Sequence, residues 1–362
     1  MAGKAIKQSN TRCLADAASK GMITLHSTTV VGSHSTCSNN SSQFPTRSER
    51  QVRGRTLEKA RPAFTVVELL VVIAIVALLA SLLMVAIGGA RERGRRLTCQ
   101  SHLRQIALAL QSYESVYRQL PVGNAQGWSF HYQILPHLER QSLWEALRTK
   151  SGKDQEHYLK VKDVVPIFLC PSDGATSLPL APTNYAGNAG VWPLSTGFNG
   201  AFVNPQVADI YENTPTQVSF KMISDGLSNT ALVSEVIHAD GGAAIERSNW
   251  DTVRKYFDID DFAHECRSIL EHGSGSVVGD PFARGYPWSA GDVGFTLYTH
   301  VTPPNSISCY HKSVVLEAAV APSSYHPGIV HTAFMDGSVR PVSDDVDLQV
   351  FRSFGSRDSV DQ

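Results

Sequence analysis

The chain lacks the short motifs that mark most enzymes and nucleotide-binding proteins. It has no G-x-S-x-G elbow, no G-x-x-x-x-G-K-[ST] phosphate loop and no twelve-residue calcium loop. It also lacks a C-x-x-C pair, which argues against a zinc ribbon. These absences predict that the protein is not an enzyme and has no resident cofactor. Calcium, which suits oxygen-rich loops, is the one cation left open.

Charge is absent from Leu69 to Ile87, and the residues of this run are almost all apolar. About 20 such residues in a helix span the hydrocarbon core of a bilayer. Just before the run stands Glu68, the one charged residue between Phe64 and Ile87. A carboxylate at membrane depth costs up to about 3 kcal/mol, so it needs a reason beyond anchoring. A helix that leaves the bilayer to join a helical assembly has such a use for it.

The charge balance separates a leader from the remainder of the chain. Residues 1–63 hold ten Lys and Arg against three acids, a net charge of +7, and the remaining residues sum to −1 − 7 = −8. The basic flank predicts a cytoplasmic N-terminus. The acidic remainder argues against a nucleic-acid partner. Residues 1 to about 58 are rich in Ser, Thr and Asn, which predicts disorder.

A helical pattern continues beyond the apolar run and predicts one helix of about fifty residues. Its apolar stripe comprises Leu97, Leu103, Ile106, Ala107, Leu110 and Tyr113. Polar residues that include Gln100, Arg104, Gln105 and Gln111 occupy the opposite face. Leu120-Pro121 is expected to end the helix. Its first half would lie in a membrane or filament core, and its second half would pack on a globular head.

The head shows patterns of short elements. We predict short helices around Pro136, a strand at 164–170 and a loop or edge strand at 183–190. A turn at Asp225-Gly226 should precede a strand at 230–236. Near the C-terminus, strands 329–335 and 338–342 flank Asp336-Gly337, which predicts a hairpin with a type I′ turn. Residues 237–320 are irregular, and their elements cannot be ordered from the pattern.

The polar residues that are candidates for a site are His326, His331, Asp336, Asp173 and Asp225. His326 and His331 are five residues apart on the predicted strand, so their side chains should point to opposite faces. No metal site is therefore predicted from them. His326 is expected to hydrogen-bond across the mouth of the hairpin, and the acids followed by Gly are expected to form turns.

The head of the apolar run, R-P-A-F-T-V-V-E-L-L, resembles the type III signal of type IV pilins and pseudopilins. The resemblance implies that a prepilin peptidase cuts between Ala63 and Phe64 and methylates the new N-terminus. It also implies that Glu68 pairs with the terminal amine of a neighbouring subunit. Ala63 stands where the family usually has Gly, and Val85 stands where many members have Pro.

The order of the later motifs extends this resemblance to about residues 60–350. F-L-C-P-S-D, T-N-Y-A-G, I-S-D-G-L-S-N-T and H-x9-D-G (His326, Asp336, Gly337) run as in a large bacterial family. Its members join a prepilin-type leader to a domain of unknown function and are described as pseudopilin-like, related to the type II secretion pseudopilin.

Four cysteines, Cys99, Cys170, Cys266 and Cys309, follow the leader, and three disulfide pairings are open. The family resemblance implies the pair Cys99–Cys170, which leaves Cys266 and Cys309. Buried free thiols are the alternative for that second pair.

The fold expected is α+β, a pilin-like long N-terminal helix packed on a β-rich head. The predicted segments are a leader (1–63), an assembly helix (64–87), an amphipathic continuation (88–119), a periplasmic head (120–350) and a C-terminal tail (351–362). The function expected is a pseudopilin-like subunit of the bacterial inner membrane. Its partners would be prepilin peptidase and other pilin-like subunits in a periplasmic or surface filament. The alternative is a non-polymerising envelope protein whose head binds a glycan or peptide.

Overall fold

The structure is a computed structural model. It describes residues 64–151, 156–174, 179–191, 198–207, 215–239, 249–252, 258–272, 276–277, 284–311 and 314–358. The predicted leader and Ala63 lie outside the described residues.

Helix α1 spans Val66–Tyr117, 52 residues, which confirms the predicted long helix. Thr65 and Glu68 form a capping box at its start, where Thr65 Oγ1 accepts from the Glu68 backbone N–H and the carboxylate accepts from Thr65 N–H at 2.9 Å. At its end, Arg118 adopts a left-handed conformation, and its N–H donates to Glu114 O. Glu68 therefore also has a local role, because it satisfies an N–H that the helix leaves without a partner.

The first half of α1 is exposed and apolar. Among the described residues, α1 is the helix long and apolar enough to cross a membrane, with a mean hydropathy of 3.2 in its most apolar window and none of that window buried. Leu70, Ile75 and Leu79 are each more than half exposed. Apolar surface of this extent requires lipid or other helices to cover it. The long helix therefore fits a membrane anchor that carries a globular head.

The second half of α1 packs on the head through one stripe. Cys99, Leu103, Ile106, Ala107 and Leu110 are fully buried. Leu97 is 65 % exposed, so its placement in the predicted stripe was wrong. Gln111, predicted on the polar face, donates to the Met335 carbonyl at 3.0 Å. The buried stripe thus begins at Cys99 and not at Leu97.

The larger sheet has the strand order β5-β1-β2-β8-β9. Its pairs are antiparallel except for β1 with β5, which is parallel. The strands are β1 (Tyr185–Asn188), β2 (Ala231–Glu235), β5 (Leu297–Tyr298), β8 (Ile329–Phe334) and β9 (Val339–Ser343). β1 lies inside the sheet and not at its edge, because β5 covers the side that β2 leaves open. The buried stripe of α1 joins this sheet in the main hydrophobic core.

A second sheet, of order β4-β3-β6-β7, occupies the region that the sequence could not order. Its strands are β3 (Asn249–Asp251), β4 (Ser276–Val277), β6 (Ser308–His311) and β7 (Val314–Ala319). An amphipathic helix in the same region carries Phe262 and Cys266 into a small separate core. Cys266 is bonded there to Cys309 of β6.

Short helices complete the head: α2 (Phe130–Ile134), α3 (Gln141–Ser151), α4 (Ile259–His272), α5 (Leu348–Gly355) and 3-10 turns that include 135–138 and 166–168. The helices around Pro136 confirm the prediction. The predicted strand at 164–170 was wrong, because Pro166 begins a 3-10 turn that carries Phe168 into the core. In α5, Phe351 is buried, so part of the predicted C-terminal tail packs on the head. The architecture is α+β, as predicted.

Candidate functional site between the long helix and the head

His326 connects the long helix to the central sheet. Its ring is buried, and Nδ1 lies 3.0 Å from Glu92 Oε1 on α1. Nε2 lies 3.5 Å from Glu235 Oε1 at the end of β2 and 3.7 Å from Cys170 Sγ. His326 thus touches three segments that are far apart in the sequence, and it does not bond across the hairpin mouth as predicted.

Glu235 is buried beneath this ring and is held by a second histidine. His331 donates its backbone N–H to Glu235 Oε2 at 2.8 Å, and its Nδ1 lies 3.2 Å from the same oxygen. The two imidazole rings approach edge to face at 5.2 Å. The prediction that His326 and His331 point to opposite faces was wrong, because β8 begins only at Ile329 and strand alternation does not reach His326.

Glu92, on the turn of α1 that follows the apolar run, completes the cluster. Ser172 Oγ donates to its Oε1 at 3.1 Å, and Arg95 lies 3.6 Å from its Oε2. Sequence reasoning missed both Glu92 and Glu235. The available signals were weak: Glu92 is the one acid in a basic stretch, and Glu235 is the one acid in the predicted strand 230–236.

The electrostatics of the cluster favour an ion pair. Burial disfavours the charged form of Glu235, but hydrogen bonds from His326 and His331 outweigh it and lower the carboxyl pKa to about 2. Burial likewise disfavours the imidazolium of His326, but Glu235 and Glu92 outweigh it and raise its pKa. A histidine placed between two carboxylates is therefore protonated more readily than a free one, and His326 links α1 to β2 through these two contacts.

The other end of the H-x9-D-G segment also contacts α1. Gly337 has φ +82° while Asp336 does not have a positive φ, so the turn is not the predicted type I′. Instead Gly337 N–H donates to Phe334 O, and the glycine forms a bulge before β9. A Cβ at Gly337 would meet Gln111 Nε2 at 2.9 Å, so the turn fits closely against the helix.

The contacts at Glu92 and Gln111 hold α1 at two points that are well separated along the helix. Glu92 and Gln111 are 111 − 92 = 19 residues apart, about 28 Å along the helix. The segment from His326 to Met335, which includes β8 of the confirmed hairpin, makes both contacts. The segment from His326 to Gly337 is thus placed to hold the amphipathic half of α1 against the sheet.

A disulfide adds a third link at the same place. Cys99 of α1 is bonded to Cys170, as the family resemblance implied, with a Cα–Cα distance of 5.0 Å. Cys170 begins the predicted turn, in which Asp173 accepts from Asn184 Nδ2 at 2.6 Å and from His238 N–H at 3.1 Å. Asp225 lies in the turn before β2, where its carbonyl accepts from Asn229.

A separate cleft of about 980 Å³ opens elsewhere on the head. At its base Asp292 accepts from Val293 N–H at 2.9 Å, and the amides of Asn124 and Asn204 donate to the same carboxyl. Burial outweighs these bonds and raises the pKa of Asp292 to about 6. No sequence pattern indicated this carboxyl, which lies outside every predicted motif.

One wall of the cleft is aromatic and one rim is strained. Trp128 packs on Tyr132 with ring centroids 4.1 Å apart, and Tyr158 lies beyond. Gln126 has φ +52° and Gly127 has φ +94°, so a tight turn between Ala125 and Trp128 presents Gln126 at the opening. Positive φ at a residue other than Gly costs about 1 kcal/mol, and such strain clusters at functional sites.

Comparison with protein families gives one match, over residues 89–349, to the family described as "Protein of unknown function (DUF1559)". No curated protein and no solved structure matches the chain. The match covers well over half of the chain and includes the second half of α1, both sheets and the residues around His326. The chain therefore belongs to this family of unknown function, DUF1559.

Proposed function

We propose that the protein is a pseudopilin-like structural subunit without enzymatic activity. It is cut before Phe64 by a prepilin peptidase, retained in the bacterial inner membrane by α1, and assembled through that helix with other pilin-like subunits. The head faces the periplasm. The observation that carries the proposal is a single continuous helix whose first half is exposed and apolar and whose second half is bound to the head.

The second half of α1, which is linked to the head, supports a role in assembly. An assembly helix that transmits force from a filament to its head must be fixed to that head. Three links serve this purpose: Cys99–Cys170, His326–Glu92 and Gln111–Met335. The two disulfides also fit an oxidising compartment such as the periplasm.

The capping box supplies a rival explanation for Glu68, so the test must separate capping from charge. Glu68→Gln keeps a side chain that caps the helix but removes the negative charge, whereas Thr65→Ala weakens the cap and keeps the charge. If Glu68 pairs with a neighbouring amine, Glu68→Gln and Glu68→Ala abolish incorporation into filaments, and Thr65→Ala does not.

The assay is immunoblotting of sheared filaments against total membranes in the native host. Mass spectrometry of the membrane-extracted chain should first show a methylated Phe64. An intact N-terminus upstream of Arg61 would contradict processing. Filaments that form equally well with Glu68→Gln would assign Glu68 to capping and refute pairing.

The cleft favours a second candidate, an envelope protein that does not polymerise and whose head binds a glycan. Aromatic faces beside amide and carboxyl groups suit the apolar faces and hydroxyls of a sugar, and ligand sites are concave with a few directed polar groups. Titration of oligosaccharides and of peptides, followed by tryptophan fluorescence, tests this. We expect saturable binding of a sugar. Gln126→Ala should weaken this binding, and Gln105→Ala, at an exposed position of α1, should leave it intact. Binding of peptides alone, or an equal loss in both variants, would contradict it.

A further inference from the structure

His326 and three neighbouring side chains have the composition of a metal site. Cys99 Sγ, Cys170 Sγ, a Glu235 oxygen and a His326 ring nitrogen all lie within 4.8 Å of one another, and all four residues are buried. We propose that these four side chains bind one divalent cation of the zinc class when the two cysteines are reduced thiols. This site is independent of whether the chain polymerises.

The spacing of the ligand atoms fits tetrahedral zinc. Bonds of about 2.0–2.1 Å to N and O and about 2.3 Å to S place two ligand atoms about 3.4 Å apart for N and O, and about 3.6 Å apart for N and S. His326 Nε2 lies 3.5 Å from Glu235 Oε1 and 3.7 Å from Cys170 Sγ. His326 Nε2 therefore already stands from each of the other two atoms at the separation of ligands that share one ion.

The surrounding groups orient the ligands as a metal requires. His326 Nδ1 lies 3.0 Å from Glu92, which leaves Nε2 as the ligand atom, in the carboxylate–histidine–metal arrangement of many zinc sites. Glu235 Oε2 accepts from the backbone N–H of His331 at 2.8 Å, and Oε1 is the oxygen that faces His326 Nε2; His331 Nδ1 lies 3.2 Å from both oxygens. Both non-sulfur ligands thus have their second oxygen or nitrogen engaged.

The sulfur atoms make the site dependent on the redox state. In the disulfide they are bonded to each other, and each can bind a metal only as a thiolate. A dithiol reduces the S–S bond to two thiols and is itself oxidised to a disulfide. The two thiols then release two protons as they bind the cation. A newly made chain contains the two thiols before oxidation and needs no reductant.

An access route reaches the site from the surface. Cys170 lines a cleft of about 340 Å³ together with Asp173 and Asn184. A cation or a small dithiol can therefore approach the sulfur from this side. The ion would join α1, the turn after Cys170 and the end of β2, which are the segments that the disulfide and His326 join in the oxidised chain.

The experiment uses the full chain in detergent with Cys266→Ala and Cys309→Ala, so that the second pair cannot bind metal. The chain is reduced with a phosphine under anaerobic conditions, titrated with Zn²⁺ against a chromophoric chelator, and titrated with Co²⁺ as a spectroscopic probe. We expect one equivalent of Zn²⁺ in the reduced chain and a thiolate-to-cobalt charge-transfer band. The oxidised chain should take up no more Zn²⁺ than a chain that also carries Cys99→Ala and Cys170→Ala.

His326→Ala should lower the affinity at least tenfold, and Glu92→Gln should lower it by about 10- to 100-fold by loosening the ring. His137→Ala is the matched control, because the His137 side chain also contacts α1, at Ser112, but lies outside the cluster. Near-ultraviolet circular dichroism of each oxidised variant checks folding. Equal Zn²⁺ uptake by the oxidised and reduced chains, or by His326→Ala and His137→Ala, would overturn the proposal. So would a reduced chain that neither retains its fold nor regains it with Zn²⁺.

Discussion

Gly337→Ala provides a quantitative test of how the hairpin turn binds the long helix. Gly337 has φ +82°, and a residue with a Cβ pays about 1–2 kcal/mol for that conformation. The new Cβ would also stand 2.9 Å from Gln111 Nε2 and displace that side chain. Loss of the Gln111 bond to the Met335 carbonyl adds about 1 kcal/mol. We therefore expect a total loss of about 2–3 kcal/mol in the free energy of unfolding.

Gly328→Ala is the matched control in the same hairpin. Gly328 has φ +72°, but its nearest neighbour to a new Cβ is Asp344 Oδ1 at 3.9 Å. It therefore measures the backbone cost alone, about 1–2 kcal/mol. The difference between the two variants, about 1 kcal/mol, isolates the contact between the turn and α1.

Urea unfolding of the full chain in detergent, followed by tryptophan fluorescence, measures these differences. A double-mutant cycle with Gln111→Ala identifies the partner, because the displaced bond can be lost only once. The double variant should be no less stable than Gly337→Ala alone, which gives a coupling of about 1 kcal/mol. Additive losses, or equal losses in Gly328→Ala and Gly337→Ala, would refute the close fit between the turn and Gln111.

Three further predictions concern buried groups. Burial raises the pKa of Asp292 to about 6, so the folded chain keeps this proton over a pH range in which the unfolded chain has lost it. The resulting stability is fully present below about pH 3.8 and is lost as pH rises through about 6, by up to about 3 kcal/mol. Urea midpoints measured across this pH range should show the loss, and Asp292→Asn should remove it. Burial lowers the pKa of His131 to about 3, so the unfolded chain takes up a proton first and stability should fall as pH drops below about 6.5; His131→Phe should flatten this acid limb, and an unchanged limb would exclude His131 as its cause. Alkylation of the denatured, unreduced chain should leave Cys266 and Cys309 unmodified, because they form a disulfide. Replacing both by Ala should lower the free energy of unfolding by about 2–4 kcal/mol. Alkylated Cys266 and Cys309 would support the free-thiol alternative.

The elements that the sequence predicted well are those that local patterns specify. An uncharged run followed by an apolar stripe of helical period predicted α1 to within a few residues, because periodicity reports which face of a helix avoids water. The two short runs on either side of Asp336-Gly337 predicted the strands of the hairpin, because an Asp-Gly pair between two strand-like runs is a local signal for a hairpin. The type of turn was missed, because an Asp-Gly pair also suits a three-residue loop in which the glycine alone has a positive φ, as Gly337 does.

The second sheet was beyond local prediction for a physical reason. β3 and β4 are two or three residues long, and β3 pairs in parallel with β6, which lies far along the chain. Strands this short carry too few residues to show a period. Pairing across the intervening chain then determines their conformation.

What the sequence by itself determined is the class of protein: an apolar helix with Glu68 at its start, an α+β head and four cysteines after residue 63. Only the tertiary structure decided that His326 stands between Glu92 and Glu235 beside Cys170. Glu92 and His326 are 234 residues apart, and their contact depends on α1, β2 and the disulfide being in place together. No local pattern encodes such a meeting, because the energy of a buried ion pair comes from partners that the fold brings together after each local element has formed.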